Sequence, residues 1–261
     1  MTASLPFALL AATVVATVSL TSTRPATSVE WCRYRFSSST KPPRPFAVND
    51  LARISRMPLL SHEECETIIS AANDDERGWQ HDVSDRYGTA AHRLPARLNI
   101  ADVVSSKPLV SSRALFDLLS DLYLPRWERE LASLFAETAG FPRALRLKFA
   151  RILKYEADLG QCELGLHQDG PLLTCNIALN SPLEYEGGGT ILPLELEGAN
   201  LDQEPPGGVL RPADTQVEGA GTAVVLPEGH ALVHPGHVRH AGAPISSGAR
   251  WLLGLFFDGA E

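Results

Sequence analysis

Residues 164–180, LGLHQDGPLLTCNIALN, decide the fold, because an opening His and Asp are followed by strict alternation. From residue 174 the odd positions are apolar and the even positions are polar except for Ala178: Cys175, Ile177 and Leu179 against Thr174, Asn176 and Asn180. A period of two predicts a β-strand with one buried face. His167 and Asp169 are two residues apart, so in an extended chain their side chains project the same way. Gly170 and Pro171 then end this first strand, which predicts that the pair lies at the mouth of a sheet.

Short apolar segments continue toward the C-terminus, separated by connections rich in Gly and Pro. They are LRLKFARILKY, TILPLEL, GTAVVLP, HALVHPG and RWLLGLFF. In the first segment Leu147, Phe149, Leu153 and Tyr155 share one parity, with Arg151 as the polar exception. So many short strands without intervening helices predict an antiparallel sandwich or barrel. Residues 195–219 are polar and contain prolines, and they are predicted to form a surface loop.

Helical patterns precede these strands. In SHEECETIISAAND, Ser61 and Glu64 are spaced as a capping box at the start of a helix. A longer pattern runs from 112 to about 138 and is interrupted near Pro125. Helices first and strands afterwards predict an α+β fold, in which a helical lead-in over 48–145 buttresses a β core over 146–257.

Composition is that of an ordinary globular protein: 261 residues, 44% hydrophobic and 21% charged. The net charge of -8 argues against nucleic-acid binding, which needs clustered Lys and Arg. Residues 1–25 contain an apolar run without acids and are predicted to be a signal peptide or a membrane-inserted signal anchor. An organelle transit peptide is the alternative, and residues 26–47 are predicted to be a linker. Cys65 and Cys175 fall on apolar faces and are predicted to be buried thiols.

A second polar group lies in HPGHVRHAGAPISSGARWLLGLFF. His240 is followed ten residues later by Arg250, at the start of a strand that is apolar on both faces. A buried guanidinium needs an anion, either a structural carboxylate or that of a ligand. Tyr155 ends the strand that precedes His167 and can supply a hydroxyl within an apolar wall. Two histidines and one carboxylate on one side of a metal are typical of non-haem Fe(II) oxygenases.

The segments KYEAD, LHQDGPLLTCNIALN, YEGGGT and LVHPGHVRHAGAPISSGARWLL together resemble the 2-oxoglutarate- and Fe(II)-dependent dioxygenases. The similarity is greatest to the branch of prolyl 4-hydroxylases and procollagen-lysyl hydroxylases, and it covers residues 50–257. It implies a double-stranded β-helix, or jelly roll, with a dioxygenase domain over 48–261. It also implies that His167, Asp169 and His240 are the iron ligands. His237 is the next candidate for the third ligand.

The same resemblance implies which residues bind 2-oxoglutarate. Arg250 would bind the distal carboxylate of 2-oxoglutarate, and Tyr155 would form a hydrogen bond with the same cofactor. Asn176 matches an Asn that contacts 2-oxoglutarate in the lysyl branch, and Thr174 lies on the same strand face.

The function implied is hydroxylation of a prolyl or lysyl side chain in a peptide or protein, with succinate and CO2 as co-products. Fe(II) and 2-oxoglutarate would be the cofactors, with ascorbate restoring over-oxidised iron. Two alternatives stay open: a zinc hydrolase that uses the same His, Asp and His, and a catalytically silent jelly-roll binding module. The N-terminal segment predicts the secretory pathway or endoplasmic reticulum as the location. The sequence does not specify an oligomeric state.

Overall fold

The computed structural model describes residues 30–34, 52–75, 79–80, 95–104, 107–110, 112–138, 140–193, 209–212 and 221–260. The predicted signal segment over 1–25 and most of the linker over 26–47 lie outside these residues. Within that linker, however, β1 (Trp31–Tyr34) pairs with β2 (Ala52–Ser55). The sequence analysis did not identify this strand, whose pairing partner begins after 17 intervening residues.

Every pairing among the described strands is antiparallel. The larger sheet contains ten strands. Besides β1 and β2 these are β3 (Trp79–Gln80), β4 (Ala96–Val104), β5 (Lys107–Val110), β6 (Leu145–Glu156), β8 (Leu173–Ala178), β9 (Tyr185–Gly187), β13 (Ala231–Pro235) and β15 (Ile245–Gly259). Their order is β1-β2-β13-β8-β15-β6-β4-β3, with β5 beside β4 and β9 beside β15.

The smaller sheet has five strands in the order β11-β12-β10-β14-β7. They are β7 (Leu164–His167), β10 (Thr190–Leu192), β11 (Val209–Pro212), β12 (Thr222–Val225) and β14 (His240–Gly242). β11 falls inside the predicted surface loop over 195–219, so that prediction was wrong for these four residues. Pairing with β12 gives this polar segment its strand conformation.

The two sheets face each other across a narrow apolar core, as in a jelly roll. Ile54, Ala178 and Leu232 from the larger sheet are buried in one cluster with Leu192 and Val224 from the smaller sheet. The described residues therefore form mostly β-sheet with three α-helices, which agrees with the predicted jelly-roll core.

The helices contact the outer face of the larger sheet. They are α1 (His62–Asn73), α2 (Arg113–Leu122) and α3 (Leu124–Leu134). Ser61 and Glu64 form the predicted capping box at the start of α1. The predicted break in the second helical pattern is confirmed, but it lies at Tyr123, just before Pro125, because proline is tolerated only in the first turn of α3. The pattern also ends at Leu134 rather than at 138.

Helix and sheet share the main core. Ile68 of α1, Leu119 of α2 and Trp127 of α3 are buried with Ile177 and Leu253 of the central strands. Because residues 81–94 and 35–51 lie outside the described part, the helical lead-in over 48–145 as a whole stays a prediction. Its described part also contains β2 to β5.

Alternation along the central strands separates two environments. On β8, Cys175 and Ile177 face the helices, whereas Thr174 and Asn176 face the space between the sheets. The predicted parity of the 174–180 stretch is thereby confirmed. On β6 the parity changes partway: Leu147 faces the helices, while Phe149 and the following odd residues face inward.

The cause of this change is a β-bulge. Phe257 pairs with Leu147 and Phe256 with Phe149, so Lys148 is the extra residue on β6. The prediction that Leu147 shares a face with Phe149 was therefore wrong. None of the helices in the described ranges is long and apolar enough to cross a membrane.

Candidate metal centre and its cleft

Two histidines meet across neighbouring strands of the smaller sheet. His167 ends β7 and His240 begins β14, and the two residues are direct partners in the antiparallel register. Residues directly opposite each other share a sheet face. The ring centroids of His167 and His240 are accordingly only 4.2 Å apart. The two histidines are 73 positions apart in the sequence, and a single strand pairing brings them into contact.

Asp169 joins them from the loop that follows β7. Its backbone N–H donates to the carbonyl of Gly236 at 2.7 Å, which holds the loop against the turn after β13. Gly236 is required there, because a Cβ at that position would collide with the carbonyl of Pro171. The Asp169 carboxylate consequently lies 3.7 Å from Nε2 of His167 and 3.4 Å from Nε2 of His240.

Backbone carbonyls fix the orientation of both imidazoles. Nδ1 of His167 is 2.8 Å from the carbonyl of Gly165, and Nδ1 of His240 is 2.9 Å from that of Val238. A carbonyl only accepts, so each Nδ1 carries the proton and each Nε2 presents a lone pair toward Asp169. This is the tautomer that a metal-binding histidine needs.

Burial keeps both imidazoles neutral. It lowers the pKa of His167 to about 4, with the neighbouring His240 acting in the same direction. Burial, together with His234, also lowers the pKa of His240 to about 4. For Asp169, burial alone would raise the pKa, but His240, His234 and the Thr174 hydrogen bond outweigh it and hold the pKa below its ordinary value. At neutral pH the site therefore offers two neutral nitrogens and one carboxylate.

These donors fit a divalent metal. The ligand atoms of His167, Asp169 and His240 all lie within 4.8 Å of one another. Ligands at right angles and about 2.1 Å from a metal would be about 3 Å apart, so small side-chain movements would close the site. Two imidazoles and a carboxylate leave further coordination positions open on the cleft side. The structure thus brings together the three predicted ligands, and it favours His240 over His237, which lies in the turn after β13.

Thr174 supports the carboxylate directly. Its hydroxyl donates to Oδ2 of Asp169 at 2.5 Å, and its side chain is buried. Asn176 lines the same cleft from the next inward position of β8. Contact of either residue with 2-oxoglutarate stays a prediction.

Arg250 and Tyr155 are direct partners across β15 and β6 and lie together at the inner end of the site. The Arg250 guanidinium is 5.0 Å from the Tyr155 ring centroid and donates to the carbonyl of Gly189 at 3.1 Å and to Oγ1 of Thr190 at 3.4 Å. Both side chains are almost fully buried. Burial raises the pKa of Tyr155, against the opposing effect of Arg250, so the hydroxyl is protonated and able to donate.

A cleft that is open to solvent lies beside these residues. Tyr155 and Thr190, which Arg250 contacts, are part of its wall, as are the three predicted metal ligands. A metal at the triad and an anion near Arg250 would thus occupy one continuous space.

Sequence reasoning missed His234. His234 lies in β13 and is completely buried. Its ring is 4.4 Å from that of His240, and its Nε2 has no hydrogen-bond partner among the described residues. The signal was the alternation in HALVHPG, which places His234 on the inward face with Leu232.

Comparisons with known proteins identify the fold but no close relative. No sequence model of a protein family matches the chain, and no curated protein sequence matches it. The non-haem α-ketoglutarate-dependent carbocyclase SnoK of nogalamycin biosynthesis matches with a TM-score of 0.53 at 17% identity, over 80% of this chain and 80% of SnoK. EvdO2 from Micromonospora carbonacea var. aurantiaca, solved with 2-oxoglutarate, matches with a TM-score of 0.50 at 17% identity, over 80% of this chain and 86% of EvdO2.

The fold is that of the 2-oxoglutarate-dependent oxygenases. A collagen prolyl hydroxylase of Paramecium Bursaria Chlorella virus-1 also matches, with a TM-score of 0.44 at 12% identity, over 78% of this chain and 93% of that one. This similarity is too low to assign the chain to the prolyl hydroxylase branch. Identities of this size establish the fold, and function has to be argued from the site.

Proposed function

We propose that this protein is an Fe(II)- and 2-oxoglutarate-dependent dioxygenase that hydroxylates a prolyl or lysyl side chain of a peptide or protein. The observation that carries the proposal is the convergence of His167, Asp169 and His240 in one cleft. The wall of that cleft includes Tyr155 and Thr190, which Arg250 contacts. Fe(II) bound there, with 2-oxoglutarate and O2, would supply oxidation of a C–H bond, with succinate and CO2 as co-products. Ascorbate belongs to the proposal as the reductant that restores the iron.

The chain's own residues have distinct tasks in this proposal. His167 and His240 hold the metal through Nε2, because their Nδ1 atoms are already engaged with backbone carbonyls. Asp169 supplies the negative charge, and Thr174 orients it. The three ligand side chains are themselves largely buried, which strengthens these electrostatic contacts relative to water.

The inner end of the cleft would bind the distal carboxylate of 2-oxoglutarate. Arg250 provides a guanidinium that matches a carboxylate, and Tyr155 adds a hydroxyl donor. SnoK is described as dependent on α-ketoglutarate and EvdO2 was solved with 2-oxoglutarate, which supports this cosubstrate. Asn176 is proposed as a further contact. The choice of a prolyl or lysyl substrate is supported by the sequence resemblance alone.

A direct test is release of CO2 from 2-oxoglutarate labelled in its first carboxyl group. Purified protein would receive Fe(II), ascorbate and a pool of Pro-rich and Lys-bearing peptides, and products would be identified by mass spectrometry. The His167→Ala variant should lose the reaction, whereas His62→Ala, which removes an exposed imidazole on α1, should retain it. Equal CO2 release by the wild type and His167→Ala would reject the proposal, and peptide cleavage by zinc-loaded protein without CO2 would favour the hydrolase.

The role of Arg250 has its own test. Arg250→Met should raise the KM for 2-oxoglutarate by about 10-fold or more, since it removes charge-assisted hydrogen bonds to the carboxylate. Metal affinity should stay nearly unchanged. Arg143→Met removes an exposed guanidinium and serves as the control. An unchanged KM would show that the anion binds elsewhere.

We also propose that residues 1–25 direct the chain into the secretory pathway, as a cleaved signal or as an anchor. Expression of the full chain with a C-terminal tag, followed by fractionation and N-terminal sequencing, tests this. A tagged protein found in the cytosol or in another organelle with an intact N-terminus would contradict it.

A further inference from the structure

Arg250 lies at the point where β15 enters the core. Residues 246–248, which precede it on the strand, are exposed, whereas Arg250 is buried. On one side, the pairing of β15 with β6 includes both Ala249 and Arg250. On the other side, β8 ends at Ala178, whose partner on β15 is Leu252. The strand pairing on that side therefore stops before it reaches Arg250.

The side chain of Asn180 continues the pairing beyond the end of β8. Counted on from the last paired residues, Asn180 is the residue opposite Arg250. Its Nδ2 donates to the carbonyl of Ala249 at 2.9 Å, and its Oδ1 accepts from the N–H of Trp251 at 2.8 Å. One amide group thus binds the main chain on both sides of Arg250. Because Asn180 is only 4% exposed, water could not replace this amide at low cost.

The other end of the Arg250 side chain is held by different groups. The carbonyl of Gly189 and the hydroxyl of Thr190 accept hydrogen bonds from the guanidinium. A Cβ at Gly188 would lie 3.4 Å from Cδ of Arg250, so this glycine lets the loop pack against the aliphatic part of the arginine. Arg250 is therefore restrained at its tip by the loop and at its backbone by Asn180.

The backbone restraint matters because a guanidinium binds a carboxylate in a defined geometry. Two parallel N–H groups have to meet two oxygens, and a binding group has to be held within about 0.5 Å of its productive position. A shift of the main chain at Arg250 would move the guanidinium with it. Asn180 is not part of the described wall of the cleft, so any influence of Asn180 on a ligand there has to pass through β15.

We propose that Asn180 is a positioning residue of the 2-oxoglutarate site, which fixes the backbone of Arg250 so that the guanidinium meets the distal carboxylate of the cosubstrate. The inference rests on the proposed function and adds to it a residue that does not touch the cosubstrate. The charge and the donor groups for 2-oxoglutarate still come from Arg250 and Tyr155.

Binding of 2-oxoglutarate to the Zn(II)-loaded full chain, measured by isothermal titration calorimetry, tests this without turnover. Asn180→Ala removes both hydrogen bonds. Asn180→Leu removes them while it keeps a branched side chain of similar size, and it is the second variant in case the first fails to fold. We expect either change to raise the Kd for 2-oxoglutarate about 10-fold, as for the loss of a hydrogen bond to a charged group.

Affinity for the metal gives the contrasting measurement. Both hydrogen bonds of the Asn180 side chain lead to β15 and not to the metal ligands. The Kd for Zn(II), from competition with a chromogenic chelator, should therefore stay within about threefold of the wild-type value. A rise in the Kd for 2-oxoglutarate without a rise in the Kd for Zn(II) separates a positioning role from a general loss of structure.

A double-mutant cycle assigns the effect to Arg250. If Asn180 acts through the guanidinium, Asn180→Ala should change the Kd for 2-oxoglutarate less than about threefold in protein that already carries Arg250→Met. Ser55→Ala is the matched control for a lost buried hydrogen bond elsewhere in the larger sheet. Ser55 is fully buried, and its Oγ accepts from the N–H of Ala231 at 2.9 Å. This control should leave the Kd for 2-oxoglutarate unchanged.

The outcomes separate this inference from the proposed function. Unchanged 2-oxoglutarate binding in both Asn180 variants, in a protein that Arg250→Met weakens, would overturn the inference and leave the proposed function intact. An equal rise in the Kd with Ser55→Ala, or in the Arg250→Met background, would also overturn it, because the effect would then not pass through Arg250. If Arg250→Met binds 2-oxoglutarate like the wild type, the anion site of the proposed function is wrong and the inference fails with it.

Discussion

The hydrogen bond from Thr174 to Asp169 gives a quantitative prediction for Thr174→Val. The hydroxyl donates to Oδ2 at 2.5 Å, and Thr174 is 1% exposed, so water cannot replace it at low cost. Val has nearly the same shape as Thr, so the substitution removes the donor without opening a cavity. The carboxylate then loses its fixed orientation toward the two imidazoles.

The expected effect follows from the charge on the acceptor. Hydrogen bonds to charged groups contribute about 1.5–3 kcal/mol. If the hydrogen bond stabilises the ligating position of Asp169 by this amount, Thr174→Val should lower metal affinity about 10- to 100-fold. The pKa of Asp169 should rise as well, because Thr174 is one of the groups that lower it.

The assay is an anaerobic competition titration of Co(II) or Fe(II) against a chromogenic chelator, without 2-oxoglutarate. Thr67→Val, on the exposed face of α1, is the matched control, and its Kd for metal should equal that of the wild type. A Kd for Thr174→Val within about threefold of the wild-type value, in protein with an unchanged circular dichroism spectrum, would refute the reasoning. If instead only 2-oxoglutarate binding weakened, Thr174 would be a cosubstrate contact, as the sequence resemblance implied.

Three further changes test the site and the fold. Gly242→Ala would place a Cβ 2.5 Å from the Tyr155 hydroxyl, so that hydroxyl must move. The Kd for 2-oxoglutarate, measured by calorimetry, should therefore rise about 10-fold. An unchanged Kd would exclude Tyr155 as a contact of 2-oxoglutarate. Ser61→Ala removes the cap of α1 and should lower the free energy of unfolding in urea by about 1 kcal/mol, with metal affinity unaffected. His167 and His240 have pKa values of about 4 in the folded protein, against a reference value of 6.5 for the unfolded chain. Between pH 4 and pH 6.5 the unfolded chain therefore binds more protons than the folded protein. The free energy of unfolding of the metal-free protein should consequently fall as the pH is lowered from 6.5 to 4. The His167→Asn/His240→Asn variant should show a shallower decline in urea midpoints, and an identical decline would contradict these pKa values.

Local patterns predicted those parts of the fold that local physics determines. The alternation of residues 174–179 depends only on which face is buried, and the structure has the predicted parity. The capping box at Ser61 depends on residues three positions apart. The parity of β6 failed because a bulge at Lys148 arises from its pairing with β15, more than a hundred residues away. The hydropathy pattern of one strand does not reveal such a register shift.

The site divides in the same way. His167 and Asp169 could be paired from a local spacing, whereas His240 was implied by the family resemblance, which its ten-residue step to Arg250 matches. The contact between His240 and His234 could not be predicted from the sequence. It depends on the register that sets His234 beside Thr174 and on the position of the smaller sheet, which carries His240. The alternation in HALVHPG predicts the inward face of His234, but its contact with His240 depends on strand pairings that a single segment does not show.

The inward parity of the central strands nevertheless contains a signal that one sequence can supply. An inward position in a closed sheet is normally apolar, and a charge there has a cost that must be offset by a partner or a ligand. Arg151 broke the pattern of LRLKFARILKY, as Arg250 did at the start of RWLLGLFF. In the structure both exceptions lie near one cleft: Arg250 contacts Tyr155 of its wall, and Arg151 is part of the wall that also contains the predicted metal ligands. Such polar exceptions to strand alternation are a signal that the number of histidines does not give, since His62 pairs with Glu228 and His230 contacts the backbone carbonyl of Ser55.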